Sequence, residues 1–148
     1  NRSLICAANN KETVLALNSI IKKREKFRPL APVMLRSVAG KNFKLNPKVF
    51  DCYRWMAITA VARDELPVEY EPILHFDRTA RLQIIEDEKH PIYGFLCRNK
   101  GKIDMLVNTS FNVGGDPIVF DAFDCFVNMK RLGIQLVITD TGLYSCKP

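Results

Sequence analysis

The fold is decided by one stretch: Val107-Asn108-Thr109-Ser110-Phe111-Asn112-Val113-Gly114-Gly115-Asp116-Pro117-Ile118-Val119. An apolar run from Ile103 to Val107 leads into it, and apolar residues resume at Ile118, so the pattern predicts a strand, a polar turn and a second strand. Short hydroxyl and amide side chains next to two glycines suit the binding of a phosphate or an oxyanion. The alternative is a loop whose polar groups bond only to one another, as in most turns of this composition.

Composition limits the class of protein. The chain has 148 residues, of which 47% are hydrophobic and 26% charged, as in one soluble globular domain and unlike a disordered tail. Lys and Arg number 22 against 16 Asp and Glu, which gives a net charge of +6. A basic chain favours anionic partners, namely phosphorylated small molecules, nucleic acid or an acidic neighbouring domain, and charge alone does not choose among them.

The cysteines and the apolar runs indicate the cellular compartment of the protein. Five cysteines are far apart and include no C-x-x-C pair, so we expect reduced thiols, no metal site and a cytoplasmic protein. The longest apolar run, Trp55 to Ala62, is too short to cross a bilayer, and no charged and then apolar leader opens the chain. We therefore expect no membrane contact. The absence of an initial Met suggests an excised domain.

Hydrophobic periodicity predicts alternating helices and strands. Before the central stretch we expect a helix from Lys11 to Arg24 capped at Asn9-Asn10, a strand over Val33–Leu35, a basic loop over Lys41–Lys48, a strand buried on both faces over Trp55–Arg63, an acidic loop over Asp64–Pro72, a turn and strand over Leu74–Ile85, and a short helix over Pro91–Arg98. After it we expect a helix from its cap Asp121 to Gly133, with Phe123, Cys125, Phe126, Val127, Met129 and Leu132 as its apolar face, and a strand over Gln135–Ile138. This alternation indicates an α/β or α+β domain with a mixed sheet.

Three polar clusters could together form an anion-binding cleft: Lys22 to Arg28, His75 to Arg81, and Asn108 to Asn112. Each has a simpler interpretation, since charge runs commonly form a solvated helix end and His75 could be a structural histidine. No Walker A loop, G-x-G-x-x-G or nucleophile elbow is present. Ser110 has no evident triad partners, so phosphate chemistry by positioning and charge stabilisation fits better than nucleophilic catalysis.

Four blocks then resemble a known family in order. They are Asn1-Arg2-Ser3-Leu4, Arg24-Glu25-Lys26-Phe27-Arg28-Pro29-Leu30-Ala31-Pro32, His75-Phe76-Asp77-Arg78-Thr79-Ala80-Arg81-Leu82-Gln83, and Asn108 to Val119. Over nearly the whole chain the sequence resembles the carboxy-terminal domain of NodU/CmcH-type O-carbamoyltransferases. The resemblance implies a YrdC-like fold for residues 1–148, an open twisted mixed β-sheet flanked by helices around a positively charged cleft. It also implies an amino-terminal actin-like ATPase-type domain that this chain lacks.

The resemblance implies a transferase. Such a domain combines carbamoyl phosphate with ATP and Mg²⁺ into carbamoyl adenylate, releasing pyrophosphate and phosphate. The amino-terminal domain, where iron or a similar metal is expected, then moves the carbamoyl group to a hydroxyl acceptor. The alternative is a non-catalytic YrdC-like module that binds nucleotide or RNA. Nucleic acid is not the expected partner, because no aromatic and basic residues interleave as in RNA readers.

The resemblance also assigns roles. The wider superfamily has a K-x-R … S-x-N pattern, which Lys22-Lys23-Arg24 and Ser110-Phe111-Asn112 match. It implies that Lys22, Arg24 and Arg28 neutralise oxygens of ATP and carbamoyl phosphate, that Arg81 clamps a phosphate or carbamate, and that Ser110 and Asn112, with Asn108 and Thr109, bond the α-phosphate. His75 and Asp77 would orient the arginines or bind magnesium.

Two positions depart from the family pattern. The family usually has an arginine where this chain has Gly114 and a glycine where it has Arg78. On charge balance, we expect Arg78 to supply the missing guanidinium from across the cleft. The departures also leave room for a changed substrate or an inactive domain.

Overall fold

The computed structural model describes residues 2–8, 10–23, 25 and 28–145. The strands are β1 (Ser3–Ala7), β2 (Pro32–Leu35), β3 (Phe43–Lys44), β4 (Ala60–Ala62), β5 (Thr79–Ala80), β6 (Gln83–Ile85), β7 (Met105–Ser110), β8 (Leu136–Thr139) and β9 (Gly142–Ser145). The helices are α1 (Lys11–Ala16), α2 (Arg36–Asn42), α3 (Phe50–Arg54), α4 (Tyr93–Arg98) and α5 (Ala122–Leu132). A π-helical stretch, Leu17–Ile21, continues α1, and 3-10 turns cover Pro47–Val49 and Val68–Ile73.

The main sheet has four strands in the order β1-β7-β2-β6. Strand β7 runs antiparallel to both β1 and β2, and β2 runs parallel to β6, so the sheet is mixed. Its central residues, including Val33, Met34, Ile84, Met105 and Val107, are fully buried. A mixed sheet flanked by helices confirms the predicted α/β class with a mixed sheet.

The described residues also form two smaller sheets. Strands β3, β4 and β5 form an antiparallel sheet, and β8 pairs only with β9 in a hairpin that packs on α5. The T-shaped contact between Phe126 and Tyr144, with ring centroids 5.0 Å apart, joins α5 to this hairpin. Among the described residues, no helix has the length and apolar character that a bilayer crossing needs.

Local capping signals were sufficient at several helix ends. Asn10 caps α1, its Oδ1 accepting from Glu12 N at 2.8 Å, while Asn9 lies outside the described residues. Asp121 caps α5 by accepting from Asp124 N at 2.9 Å, and Gly133 ends that helix in the left-handed region. These helices, together with β2, α4 and β8, confirm the predictions to within a few residues. The first helix ends at Ile21 and not at Arg24, so Lys22 lies outside it.

Three strand predictions were wrong. The stretch Trp55–Arg63 contains only the short β4, because Trp55 is 76% exposed and Met56 has a left-handed backbone, φ 55°. A second strand does not form at Ile118, where one hydrogen bond from Val119 N to Phe111 O (3.0 Å) replaces a ladder. The strand expected within Leu74–Ile85 is divided into β5 and β6.

The polar and apolar faces also differ from the predictions in two places. Strand β7 continues through Asn108 to Ser110, so part of the expected polar turn is strand. On α5 the core-facing residues are Cys125 and Met129, whereas Phe123 and Val127, predicted to face inward, are exposed. The sequence pattern also gave no prediction for β1, α2, α3 or β9, and the predicted basic loop over Lys41–Lys48 contains the end of α2 and strand β3.

Replacing Tyr70 with phenylalanine tests the buried hydrogen bond between Asn42 and Tyr70. Asn42 Nδ2 donates to Tyr70 Oη at 3.1 Å, so we expect the free energy of unfolding to fall by about 1 kcal/mol. Burial, followed by the charges of Asp104 and Glu69, raises the pKa of Tyr70 from 10.0 to about 12. The stability gained from a neutral phenol is complete below pH 10 and is lost as the pH rises through about 12.

Urea titrations at neutral and alkaline pH measure both effects. The wild-type protein should lose stability with rising pH more steeply than the Tyr70→Phe variant over this window. Parallel pH profiles would contradict the assignment.

Candidate functional site

A cleft opens at the edge of the main sheet where β7 ends and where β2 and β6 begin. Its volume is about 380 Å³, within the range of small-molecule sites. It is lined by Arg2, Ser3, Pro29, Leu30, Ala31, Met56, Arg81, Asn108, Thr109 and Ser110. The strand ends from both halves of the chain therefore supply its walls.

The end of β7 carries the predicted polar cluster into this cleft. Met105, Leu106 and Val107 are buried and anchor the strand, while Asn108 to Ser110 are half-buried. Asn108 Nδ2 donates to Gln83 Oε1 at 2.9 Å, which fixes the amide against β6. Strand pairing sets Ser3 opposite Ser110. The cluster is thus held from both sides and not left as a mobile loop.

Lys22 lies behind the cleft and binds the chain at Ser110 and Asn112. Its side chain is buried, at 5% exposure, and Nζ lies 2.7 Å from Ser110 O, 3.0 Å from Ser110 Oγ, 3.0 Å from Asn112 O and 2.6 Å from Asn112 Oδ1. Ser110 Oγ also donates to Asn112 Oδ1 at 2.6 Å. The structure therefore brings the lysine of K-x-R together with both residues of S-x-N, and the ammonium holds the turn in shape.

Gly114 is required by a close approach between two backbone segments. A Cβ built at Gly114 would overlap the carbonyl oxygen of Lys22 and lie 3.0 Å from its carbonyl carbon. The turn below it is closed by Asn112 Nδ2, which donates to Val113 O at 2.9 Å and to Asp116 O at 2.8 Å. The arginine that the resemblance leads us to expect at this position would not fit this packing, because Gly114 directly contacts the Lys22 backbone.

Two arginines supply positive charge to the cleft. Arg81 lies between β5 and β6 with an exposed side chain that forms no ion pair or hydrogen bond with the residues that the structure describes. Arg2 also lines the cleft and donates from Nη1 to Val119 O at 3.1 Å. Among the described residues, the lining includes no carboxylate, so the cleft suits an anion with several oxygens, such as a phosphate.

The same lining bears on ATP and magnesium. Guanidinium, hydroxyl and amide groups fit the phosphates of a nucleotide. Mg²⁺ in proteins is usually held by one or two carboxylates together with substrate phosphates, and the side-chain oxygens that the described residues bring to this cleft are those of hydroxyl and amide groups. Among residues 2–8, 10–23, 25 and 28–145, no group of three or more His, Cys, Asp or Glu could hold a metal.

Other predicted cationic residues do not line the cleft. Arg24 lies outside the described residues. Arg28 is exposed and pairs with Glu25 at 3.2 Å, and its carbonyl accepts from the buried Asn18 Nδ2 at 2.6 Å. Arg78 has φ 58°, a conformation suited to the family's glycine, and its Nη2 lies 3.4 Å from Arg63 O. The structure thus does not place Arg78 across the cleft, and Arg2 provides the second guanidinium.

His75 and Asp77 stabilise a turn before β5. Thr79 Oγ1 lies 3.0 Å from His75 Nδ1 and donates to Asp77 Oδ1 at 2.7 Å, and Thr79 N donates to the same carboxylate at 3.0 Å. These hydrogen bonds from Thr79, first from its side chain, lower the pKa of Asp77. The turn positions β5, which directly precedes Arg81. Neither His75 nor Asp77 lines the cleft.

Sequence reasoning missed four contributors, namely Arg2, Ser3, Met56 and Gln83. Arg2 and Ser3 reach the cleft because β1 pairs with the distant β7, and no local pattern indicates that register. Met56 lay inside the wrongly predicted strand. Gln83 was noted as a polar residue in its strand, but its amide contact with Asn108 depends on the neighbouring placement of β6 and β2.

The fold and the cleft together define an α/β domain with a mixed sheet and an arginine-bearing cleft whose side chains suit a small anion. Residues 1–145 match the family described as Carbamoyltransferase C-terminus, and the chain belongs to that family. This membership confirms the resemblance drawn from the four sequence blocks.

Three similar proteins illustrate the match. The chain is 32% identical to nodulation protein NolO of Bradyrhizobium diazoefficiens, covering 100% of this chain and 27% of the relative. It is 30% identical to the 3'-hydroxymethylcephem-O-carbamoyltransferase of Amycolatopsis lactamdurans, covering 95% of this chain and 26% of that protein. The crystal structure of full-length HypF in the phosphate- and nucleotide-bound form aligns with a TM-score of 0.65 at 22% identity, over 88% of this chain and 17% of HypF. The chain thus spans about a quarter of the curated relatives, and the HypF likeness concerns the fold.

Proposed function

We propose that this chain forms carbamoyl adenylate from carbamoyl phosphate and ATP, and that an amino-terminal domain passes the carbamoyl group to a hydroxyl acceptor. The observation that carries the proposal is the cleft that Arg2 and Arg81 line together with the hydroxyl and amide cluster Asn108 to Ser110. In a member of a carbamoyltransferase family, such a cleft suits two phosphorylated substrates. ATP and carbamoyl phosphate are intracellular metabolites, so a cytoplasmic location accompanies the proposal, and the four described cysteines are unpaired.

The chemistry balances in two steps. Water cleaves carbamoyl phosphate into carbamate and phosphate, and a carbamate oxygen then attacks the α-phosphorus of ATP while pyrophosphate leaves with the bonding electrons. Magnesium supplies charge neutralisation on the phosphates when bound. Arg81 would clamp a phosphate or the carbamate, and Ser110 would donate to an α-phosphate oxygen as negative charge grows there. Lys22 would act indirectly, because its ammonium fixes Ser110 and Asn112 in place.

The direct test mixes the domain with ATP, Mg²⁺ and carbamoyl phosphate and measures pyrophosphate release. We expect release only when carbamoyl phosphate is present. Binding of ATP without such release would overturn the proposal and favour the non-catalytic module. Strong salt dependence and RNA binding, with indifference to carbamoyl phosphate, would identify the RNA-binding alternative.

Arg81→Gln is expected to raise the KM for carbamoyl phosphate or ATP about tenfold or more, the cost of one lost charge-assisted hydrogen bond. Arg63→Gln is the matched control, because Arg63 is also exposed and does not line the cleft. Initial rates over both substrate concentrations measure the effect. Equal kinetics for the two variants would remove Arg81 from the binding site.

A further inference from the structure

A strip of large apolar side chains is exposed beside the cleft. It consists of Ile118, Phe120, Phe123 and Val127, which are 45%, 80%, 74% and 49% exposed. Phe123 and Val127 lie one turn apart on α5, on the side opposite the buried Cys125 and Met129. Exposed phenylalanines in one contiguous stretch are uncommon on a free surface, and such patches mark interaction sites.

The strip begins where a preceding polypeptide would join the domain. Phe111 N donates to Arg2 O at 3.0 Å, Val119 N donates to Phe111 O at 3.0 Å, and Arg2 Nη1 donates to Val119 O at 3.1 Å. These three bonds hold the start of β1 against Val119, the residue between Ile118 and Phe120. Phe111 also follows Ser110 directly, so the same place borders the cleft.

The structure and the relatives together point to one occupant. The matched segment covers about a quarter of the curated relatives, and the family description places it at the carboxyl end. We propose that the apolar strip is the docking surface for the amino-terminal domain of the same polypeptide. This inference rests on the proposed function, which takes that domain as the partner.

Docking at this place has a chemical consequence. A domain seated on the strip stands next to Arg2 and Ser110, at the side where the cleft is bordered by the start of β1. Carbamoyl adenylate is prone to hydrolysis, so a short path from the cleft to the acceptor domain limits its loss to water. The strip thus couples the two half-reactions by position and takes no part in bond making.

Site-specific photocrosslinking in the full-length polypeptide tests the docking surface. With Phe123→benzoylphenylalanine, we expect crosslinked peptides that join position 123 to the amino-terminal domain, at a yield independent of protein concentration. Phe76→benzoylphenylalanine is the matched control, because Phe76 is also an exposed phenylalanine and lies outside the strip. Crosslinks between two copies that increase with concentration, or crosslinks confined to residues 1–148, would overturn the proposal.

A second variant separates docking from catalysis. The double variant Phe120→Ser and Phe123→Ser should lower carbamoyl delivery to the acceptor about tenfold or more, as expected when interface anchors are lost, with pyrophosphate release unchanged. Unchanged delivery would overturn the docking role. Crosslinking needs neither substrate nor turnover, so its result stands apart from any failure of the carbamoyl-adenylate reaction.

Discussion

Replacing Lys22 with methionine is expected to lower pyrophosphate release at least about a hundredfold, the loss typical when a group that organises transition-state donors is removed. The ammonium contacts both oxygens of Ser110 and both oxygens of Asn112 at 2.6–3.0 Å, in a site where Lys22 is only 5% exposed. Methionine keeps most of the length of the side chain and removes its donors. The turn after β7 would lose the group that holds it beside the cleft.

Stability should change along with activity. Oxygens left without their donor cost about 1–3 kcal/mol, so a urea titration should detect a clear shift of the midpoint. Lys23→Met is the matched control, because Lys23 is adjacent, exposed and already in a left-handed conformation that methionine would inherit. Assays should be run at a temperature where both variants remain folded. Full activity of a folded Lys22→Met variant would show that the contacts with Ser110 and Asn112 are not needed for the reaction.

Much of the fold was predictable because its signals are local. Asn10 and Asp121 act through their own side chains on the next helical turn, and Gly133 ends α5 through its own backbone. The stretch Trp55–Arg63 failed for the opposite reason. Apolar residues occur at every position there, so their order does not distinguish strand from turn, and the exposed Trp55 reflects its tertiary surroundings.

The candidate site was likewise predictable in part. The hydroxyl and amide cluster at Asn108 to Ser110 was recognisable as a candidate from its residue types and its position after an apolar strand, and the structure places it in a cleft. The burial of Lys22 was not, because a lysine in a basic run ordinarily lies in solvent and only the packed turn explains its four oxygen contacts. Arg2 was missed because strand β1 pairs with β7, which lies far from it along the chain. The sequence pattern does not show which distant strands pair or in which register.

The steric role of Gly114 leads to the second large effect. Gly114→Ala is expected to destabilise the protein by about 1–3 kcal/mol, as for an overpacked interior, and to lower pyrophosphate release about a hundredfold. The added methyl group would meet the backbone carbonyl of Lys22, which cannot rotate away as a flexible side chain could. Relief requires that the segment carrying Lys22 move off the turn, and the ammonium would then leave Ser110 and Asn112.

Gly40→Ala provides the contrast, because a Cβ at Gly40 meets no atom within 4 Å and the residue lies within α2. That variant should gain about 0.5–1 kcal/mol through the lower backbone entropy of its unfolded chain, with unchanged activity. Thermal unfolding and pyrophosphate release of the two variants, measured side by side, separate steric overlap from a general effect of replacing glycine. If Gly114→Ala matched Gly40→Ala in both measurements, the close approach between Gly114 and Lys22 would not exist in solution.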